Sequence, residues 1–347
     1  MSDGRCEYEQ DVHEVDGLGP ACCWREVWGD RERCVWHADE SDKPREALER
    51  DRPDRGERID GAVLRGSPLS GVDWFAGRTL AKADFAGSVL RESDFSDADL
   101  RHAKFEDGDV SRVTFERANL EDAMFVRTDV RGTNFENAKL YRTYFFDARM
   151  DNETAFGDRI VYERALADAD TNEEMVAVGD AATWTYRGIQ RVLDENALTR
   201  RERRYYVREK DVLRRVSWAR EQYGHALMLE ASRWVMLYGV SPFRVLASSA
   251  LVILVSAVLY PLTGGLQEPG AGSAILYPIE TLDERTPGRL AYAFFLSLYF
   301  SVITFTTLGY GDVQPLGLAA RAVASAESLL GTLLIALLVF TLTRSIR

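Results

Sequence analysis

One short segment near the end of the chain has residue types that suit the binding of a dehydrated cation. It reads Thr306-Thr307-Leu308-Gly309-Tyr310-Gly311-Asp312. Stacked rings of backbone carbonyls can replace the water shell of such an ion. Successive carbonyls face one axis only when ordinary and left-handed backbone conformations alternate, and Gly309 and Gly311 adopt the left-handed one without steric cost. The segment therefore predicts an ion-binding strand made of main-chain oxygens.

Apolar stretches on either side must position this segment. Val245 to Leu262 contains eighteen residues without a charge, which is about 27 Å of helix and just long enough to span a bilayer. An aromatic and apolar segment, Tyr292 to Phe305, leads into the Gly-rich run, and Ala322 to Thr343 follows it. This order of span, re-entrant segment, Gly-rich run and span resembles the pore module of two-span potassium channels. The resemblance covers about residues 241–347.

The resemblance to potassium channels implies roles for individual residues. The ion-facing set would be Thr307, Leu308, Gly309, Tyr310 and Gly311, with the Thr307 hydroxyl adding an oxygen at the inner end. Tyr310 would point away from the axis and brace the filter from behind, and Thr306 would support it. Asp312 would bond to the pore helix, where Tyr299 is its expected partner. Leu308 stands where Val is usual, so the strictness of ion selection stays open.

Two residues of the second apolar stretch are further functional candidates. An acid inside a membrane-length segment is a functional suspect, and Glu327 is expected either to support the back of the pore helix or to line the ion path. Gly331 lies one turn further on the same face, where pore-lining helices of such channels often bend. A gating hinge is one interpretation of Gly331, and close helix packing is the other.

Charge placement predicts the orientation in the membrane. The first twenty residues are polar and acidic, so we expect no signal peptide and a cytoplasmic location for everything before the first span. Arginines flank the cytoplasmic ends of the two spans, at Arg233, Arg244, Arg344 and Arg347. The connecting loop has more acidic residues than basic ones, namely Glu268, Glu280, Asp283 and Glu284 against Arg285 and Arg289. This positive-inside pattern predicts a multi-pass plasma-membrane protein with both termini in the cytoplasm.

The composition is acidic and poor in lysine. The chain has 55 Asp and Glu residues against 43 Lys and Arg, of which only five are Lys, and its net charge is −12. An acidic surface keeps a protein hydrated when salt screens weaker fields, so we expect a halophilic source. A high-GC genome that favours Arg, Asp and Ala is the alternative explanation. The acidity also argues against nucleic acid as the main partner.

A five-residue repeat occupies the middle of the chain. Every fifth residue from Phe75 to Phe145 is apolar, fifteen in succession, and Phe alternates with Leu or Val. The residue two positions before each is usually small. Neither the helix period of 3.6 nor the strand period of 2 fits this pattern. Leu64, Leu69 and Trp74 continue it one residue out of register, which predicts a bulge near Gly77.

The repeat closely resembles the pentapeptide-repeat family. The resemblance implies a right-handed quadrilateral β-helix with one pentapeptide per side and twenty residues per turn. Because Phe alternates with aliphatic residues, like residues are expected to stack on opposite faces. Such a rod serves mainly as a spacer or a docking surface. Some soluble members resemble DNA in shape and charge, but the arginines among the acids argue against that role here.

All four cysteines fall in the first 34 residues. Cys34 and His37 form a Cys-x-x-His motif, which supplies two zinc ligands from one turn. Cys6 with Cys22 or Cys23 would complete a structural Zn²⁺ site, and buried free cysteines are the alternative. A cytoplasmic location argues against disulfides. We expect this module to cap the first turn of the β-helix, with a core formed by Trp24, Trp28 and Trp36.

A helical and partly basic segment follows the repeats. Candidate helices cover about 159–168, 173–195, 199–213 and 215–238. Nine basic residues lie between Arg200 and Arg220, interrupted by three acids. They predict either a helix face that is solvated or docked on acidic neighbours, or a contact with anionic lipid headgroups below the bilayer.

The fold expected from these patterns is multidomain. A Cys/His cap with a polar linker covers 1–60, with the linker at 40–60, and the β-helix covers 61–157. A cytoplasmic helical segment covers 158–240, and a two-span membrane domain with a pore loop covers 241–347. Within that domain we expect the first span at 244–263, the pore helix at 291–305, the filter at 306–312 and the second span at 322–343.

The function expected is passive conduction of K⁺ through a homotetramer in lipid, because one filter strand per chain requires four chains to close a pore. Gating is expected to act through the N-terminal domains, with a cytoplasmic protein or ligand as partner. A weakly selective cation channel and a membrane-anchored scaffold are the alternatives. We find no phosphate loop, nucleophile elbow or acid–base pair, so no enzyme activity is expected.

Overall fold

The computed structural model describes residues 4–10, 19–54, 56–263, 265–267 and 286–346. The chain divides into two units, Met1–Ala226 and Leu227–Arg347, and each is described by itself below. Several charges used to predict the membrane orientation lie outside the described residues, namely Glu268, Glu280, Asp283, Glu284, Arg285 and Arg347.

The N-terminal module consists of a small hairpin, a tight turn and a short helix. Strand β1 (Tyr8–Gln10) pairs antiparallel with strand β2 (Ala21–Cys23). Helix α1 (Arg45–Arg50) follows and buries Leu48 completely. The polar composition of residues 40–60 predicts a linker, but this helix packs its apolar side chain into the core. The segment is therefore part of the module.

The tryptophans of the module have different environments. Trp36 is fully buried, and its ring meets those of Trp74 and Phe75 edge-on, with centroids 5.9 and 6.2 Å apart. Trp28 is partly buried against the same core. Trp24 is 66% exposed, so its predicted place in the core is wrong. Alternation along an extended strand continues past β2 and turns this side chain outward.

The five-residue repeat forms a coil held together by parallel backbone bridges. From Thr79↔Asp99 to Asp129↔Arg149, paired residues are twenty positions apart, so each of these turns contains four pentapeptides, whereas Asn134↔Ala155 at the end of the coil is 21 positions apart. Strands β3 (Met124–Val126) and β4 (Tyr144–Phe146) pair in the same parallel register. Upstream, the bridged residues are 21 positions apart, as in Pro68↔Val89. One extra residue therefore lies between Pro68 and Thr79, where the register shift predicts a bulge.

Aromatic rings fill the coil in two columns. Rings one turn apart lie 4.7–5.4 Å from each other and are mostly stacked, whereas rings of different columns meet edge-on at 5.6–6.4 Å. Both arrangements are favourable for aromatic pairs. One column contains Phe75, Phe95, Phe115, Phe135 and Phe156, and the other contains Phe85, Phe105, Phe125 and Phe145. The alternation of Phe with aliphatic residues thus stacks like on like.

A residue in the left-handed backbone conformation lies at almost every corner of the coil, two positions after the buried residue. Most of these residues are not glycine, as with Asp97 and Arg117, both at φ +58°. The left-handed conformation costs roughly 1–2 kcal/mol for such residues. Pairing between turns offsets this cost: the Asp97 amide donates to the Glu116 carbonyl at 2.9 Å. Ion pairs join corners one turn apart, as in Arg117–Asp97 and Arg127–Asp107.

A helical hairpin follows the coil. The short helix α2 (Val161–Ala165) comes first, and the hairpin is formed by α3 (Asn172–Glu195) and α4 (Thr199–Ala219). Thr171 caps α3 by accepting a hydrogen bond from the Glu174 amide. The predicted break near residue 214 is wrong, because Val212 and Val216 continue the buried face that begins at Tyr205. A break at that point would have exposed this face.

Three residues of the basic stretch between Arg200 and Arg220 contact other parts of the protein. Arg208 forms an ion pair with the buried Glu163, and Arg220 forms one with Asp180. Arg201 donates to main-chain carbonyls at the end of the coil. These contacts favour the docked-face interpretation of the basic stretch over contact with lipid headgroups.

The second unit is helical and apolar. The first unit ends within helix α5 (Tyr223–Met236). After α5, the elements of the second unit are α6 (Pro242–Leu259), a 3-10 turn (Tyr260–Leu262), β5 (Leu266–Gln267), α7 (Thr286–Phe305), β6 (Gln314–Pro315) and α8 (Gly317–Ile346). Strands β5 and β6 pair antiparallel, and helices α6, α7 and α8 pack against one another.

Three helical stretches in the described residues are long and apolar enough to cross a membrane: Pro242–Leu262, Pro287–Phe305 and Gly317–Arg344, with mean hydropathies of 2.2, 1.4 and 2.1. Both α7 and α8 begin five residues earlier than the apolar pattern predicts. Pro287 explains the first case, because proline fits the opening turn of a helix.

The aromatic columns predict a large and local sensitivity to truncation. Phe115→Ala removes a fully buried ring that is stacked between Phe95 and Phe135, so we expect a loss of about 3–5 kcal/mol of unfolding free energy. Denaturant unfolding of the full chain in detergent, followed by circular dichroism, measures this loss. The exposed Lys104→Ala is the matched control and should change the stability by less than about 0.5 kcal/mol. Equal effects of the two variants would contradict the buried columns.

Candidate functional site

The Gly-rich segment leaves helix α7 in an alternating backbone conformation. The helix ends at Phe305. Thr307, Gly309 and Gly311 then have φ values of +57°, +54° and +78°, whereas the residues between them are not left-handed. This is the alternation that turns successive carbonyls toward one side. Gly309 and Gly311 have no heavy atom within 4 Å of an added Cβ, so backbone conformation and not crowding requires glycine there.

Asp312 ties the end of the segment to α7. The Tyr299 hydroxyl donates to Asp312 Oδ2 at 2.6 Å, the contact that the thirteen-residue spacing predicts. At the start of the segment, the Thr306 hydroxyl donates to the Val302 carbonyl at 2.7 Å. The segment is thus fixed at both ends to the same helix. Between these anchors Leu308 and Tyr310 are 59% and 68% exposed in the single chain.

Glu327 lies at the junction of the three long helices. It is 1% exposed, accepts from the Tyr260 hydroxyl at 2.5 Å and contacts the Ser301 hydroxyl of α7. Ser301 also donates to the Ile253 carbonyl of α6 at 2.9 Å. A hydroxyl has only one proton to donate. If Ser301 donates that proton to the Ile253 carbonyl, its contact with Glu327 is a hydrogen bond only when the Glu327 carboxyl donates to the Ser301 oxygen. The arrangement supports the interpretation of Glu327 as a brace behind α7.

The partners of Glu327 were not identified from the sequence. Tyr260 and Ser301 are hydroxyl residues within apolar stretches, which is the signal that could have indicated them. Such residues are common in membrane helices, where they also bond to their own backbone. The sequence therefore does not single out these two.

Gly331 lies against the end of α7. A Cβ at this position would overlap the carbonyl oxygen of Phe305 and lie 3.0 Å from its carbonyl carbon. Real Cβ atoms do not approach backbone atoms so closely, so the glycine permits the contact of α8 with the last turn of α7. This geometry supports the close-packing interpretation. The hinge interpretation stays a prediction.

A second candidate site lies in the N-terminal module. Cys6, Cys23, Cys34 and His37 have ligand atoms that are all within 4.8 Å of one another, whereas Cys22 is exposed and lies outside this group. The contact with Cys34 lowers the pKa of the Cys23 thiol to about 4. The same contact raises the pKa of Cys34, because the proton shared by the two sulfurs stays there. We call these four residues the Cys/His cluster.

Comparison with family models gives two matches. Residues 250–347 match the model described as an ion channel, and residues 78–154 match the pentapeptide repeat region. The chain joins a pentapeptide repeat region to an ion channel domain. The filter segment, Glu327 and Gly331 all lie within the ion channel match. With three apolar helices long enough to cross a bilayer, the chain is a membrane protein. No curated protein matches it.

Solved structures similar to the chain are pentapeptide repeat proteins. Rfr23 from the cyanobacterium Cyanothece 51142 is 21% identical over 29% of this chain and 64% of its own, with a TM-score of 0.24. HetL from Nostoc sp. PCC 7120, involved in heterocyst differentiation regulation, is 27% identical over 26% of this chain and 36% of its own, with a TM-score of 0.21. A pentapeptide repeat protein of the Arabidopsis thaliana thylakoid lumen is 30% identical over 30% and 79%, with a TM-score of 0.19. The chain therefore spans 64% and 36% of the length of the first two.

The network around Glu327 predicts different outcomes for two substitutions in the channel domain. Glu327→Gln retains a group that accepts from Tyr260 and donates to Ser301, so it should leave thermal stability nearly unchanged. Glu327→Leu leaves the buried Tyr260 hydroxyl without its carboxyl partner and should cost about 1–3 kcal/mol. Thermal unfolding in detergent compares the two. A Gln variant as stable as the parent but altered in conductance would instead support the ion-path interpretation.

The packing at Gly331 predicts that Gly331→Ala destabilises the channel domain, because the added methyl group meets the rigid Phe305 backbone. We expect a lower unfolding temperature than for Gly288→Ala, the control, since a Cβ at Gly288 meets no atom within 4 Å. An unchanged unfolding temperature together with a changed open probability would support the hinge interpretation and contradict ours.

Proposed function

We propose that this protein is a subunit of a homotetrameric, potassium-selective channel whose filter is formed by residues 307–311. The observation that carries the proposal is the alternating left-handed backbone at Thr307, Gly309 and Gly311, within the segment that matches the ion channel family model. Alternation at three successive odd positions allows the carbonyls of the whole segment to face one axis. Carbonyls in that arrangement replace the hydration shell of K⁺.

We propose a tetramer because one chain supplies only part of the oxygen shell that an ion needs. A single segment supplies carbonyls on only one side of an ion, and a dehydrated ion needs oxygens all round it. Four copies about one axis complete each ring. The exposure of Leu308 and Tyr310 in one chain is the surface that neighbouring copies would cover. Tyr310 would then brace the filter from behind.

Helix α7 contributes to the electrostatics of the pore. Its C-terminal end, at Phe305, precedes the filter directly. The free carbonyls at a helix C-terminus carry a partial negative charge, and this charge stabilises a nearby cation. We therefore propose that α7 is the re-entrant pore helix, although its length is also compatible with a span, and that the two membrane-crossing helices are α6 and α8.

The start of α6 and the end of α8 lie on the same side of the proposed membrane domain. Gly239, just before α6, lies close to Phe340 and Arg344 near the end of α8. Arg244 donates to the Arg233 carbonyl at 2.7 Å on the same side. A cluster of arginines at that side obeys the positive-inside rule. We propose that both termini are cytoplasmic and that the channel lies in the plasma membrane.

The N-terminal unit is proposed to control the pore. The pentapeptide repeats would form a right-handed quadrilateral β-helix that serves as a docking surface for a cytoplasmic protein or ligand. Covalent continuity through α5 would transmit binding to α6. No enzymatic step is part of this proposal.

Ion flux through the full chain in liposomes tests the proposed function. We expect K⁺ flux well above Na⁺ flux. Gly309→Ala should abolish the flux, because a left-handed alanine costs roughly 1–2 kcal/mol in each of four subunits. Gly288→Ala, outside the filter, is the matched control and should conduct normally.

The remaining outcomes separate the alternatives. Equal K⁺ and Na⁺ fluxes, which the Leu308 position makes a specific concern, would replace potassium selectivity with weak cation selectivity. Flux that survives Gly309→Ala would contradict the assignment of the filter. A verified tetramer that conducts under no tested condition would leave the scaffold function.

A further inference from the structure

The Cys/His cluster is assembled by three separate backbone features. Cys6 precedes β1, and its amide donates to the Arg25 carbonyl across the hairpin at 2.8 Å. Cys23 ends β2. Cys34 and His37 share a tight turn, in which the His37 amide donates to the Cys34 carbonyl at 3.1 Å. Backbone pairing thus brings together residues that are up to 31 positions apart in the sequence.

Three of the six distances between the ligand atoms match the edges of a tetrahedral zinc site, and all six are within 4.8 Å. Zn–S and Zn–N bonds of about 2.3 and 2.0–2.1 Å give tetrahedral edges of about 3.8 Å for S···S and about 3.6 Å for S···N. The Sγ atoms of Cys23 and Cys34 are 3.7 Å apart. His37 Nδ1 is 3.5 Å from Cys6 Sγ and 3.3 Å from Cys34 Sγ. A disulfide would require about 2.05 Å between sulfurs.

The tautomer of His37 is suited to binding a metal. Its Nε2 lies 2.9 Å from the Asp60 carbonyl oxygen, which can only accept, so Nε2 carries the proton. The lone pair of Nδ1 then points at the sulfurs. The Tyr8 ring stacks on the imidazole at 4.1 Å with an interplanar angle of 5°, which fixes the ring plane. A metal-bound histidine typically donates its other ring N–H to a carbonyl of this kind.

The charge balance around the cluster also suits a metal thiolate centre. Lys43 is fully buried, and its Nζ donates to the Val63 carbonyl at 2.6 Å. Burial lowers the pKa of Lys43 to about 8, so a negative charge close to Lys43 would stabilise its ammonium form. Zn²⁺ with three thiolates has a net charge of −1, which stabilises a buried cation.

We propose that Cys6, Cys23, Cys34 and His37 Nδ1 bind one structural Zn²⁺ ion. Cys22 is excluded, because it is exposed and successive residues of a strand point to opposite faces. The choice between Cys22 and Cys23, which the sequence leaves open, thus falls on Cys23. The ion would link the hairpin to the turn at His37, and through the Asp60 carbonyl to the first turn of the coil. It would hold the N-terminal module against the first turn of the coil.

Metal content and thiol protection of the full-length protein in detergent test this proposal. Protein purified without chelator should contain about one zinc per chain, and Cys22→Ser, the matched control, should retain it. Cys34→Ser should lose most of it. Replacement by Co²⁺ should give visible bands typical of tetrahedral coordination, with thiolate charge-transfer absorption.

Alkylation of the unmodified chain keeps the test decisive even if Cys34→Ser fails to fold. We expect one reactive thiol, Cys22, in the metal-bound protein and four after a strong chelator is added. The same number of reactive thiols before and after the chelator, in protein without bound zinc, would overturn the proposal in favour of buried free cysteines. Loss of metal on Cys22→Ser would overturn the ligand assignment, and iron with sulfide in place of zinc would overturn the identity of the metal.

Discussion

Residues in the left-handed backbone conformation recur at fixed intervals in two parts of this chain, the coil and the filter. In the coil they occur every five residues and turn the corners, and in the filter they occur every two residues and align the carbonyls. One residue in this conformation reverses the direction of the next peptide plane. With five residues between reversals the chain winds into the coil. With two residues between reversals it stays extended, with its carbonyls on one side. The rest of the structure supports these two patterns.

The two patterns offset the cost of this conformation differently. In the coil, the corner residues from Lys82 to Arg127 are paired with the next turn, as when the Asp97 amide donates to the Glu116 carbonyl, and the aromatic columns hold the turns at a fixed spacing. The coil is therefore complete within one chain. In the filter, the described contacts hold the ends, through Tyr299 and Thr306. Its middle, around Leu308 and Tyr310, is exposed, so under the proposed function neighbouring subunits and the ion would stabilise it.

Features that repeat along the chain could be predicted from the sequence. The five-residue period gives the buried residues of the coil and the position of its bulge, because each position has the same environment in every turn. The thirteen-residue spacing gives the Tyr299–Asp312 contact, because helix geometry fixes where Tyr299 points. The filter glycines follow from the conformation that only glycine adopts freely. The left-handed conformation of Thr307 could not be predicted, because threonine shows no preference for it.

Features that depend on contacts between residues far apart in the sequence could not be predicted. Glu327 and its two partners lie on three different elements, and nothing local relates Tyr260 to Ser301. The outward position of Trp24 depends on which face of β2 packs, and the choice of Cys23 over Cys22 depends on the same fact. The uninterrupted course of α4 depends on what its buried face meets. In each case the missing information is a contact partner and not a propensity.

The twenty-residue turn of the central part of the coil has a consequence for how this protein can vary. Duplication or deletion of one whole turn leaves every ring above an equivalent ring and every corner above a corner, and it changes the length of the column by about 4.8 Å. A gain or loss of one or two residues needs a local bulge to restore the register, as between Pro68 and Thr79, and without a bulge it shifts each later side chain to a different wall. Length differences among related chains should therefore come in multiples of twenty, so the distance between the N-terminal module and the end of the coil can change only in discrete steps.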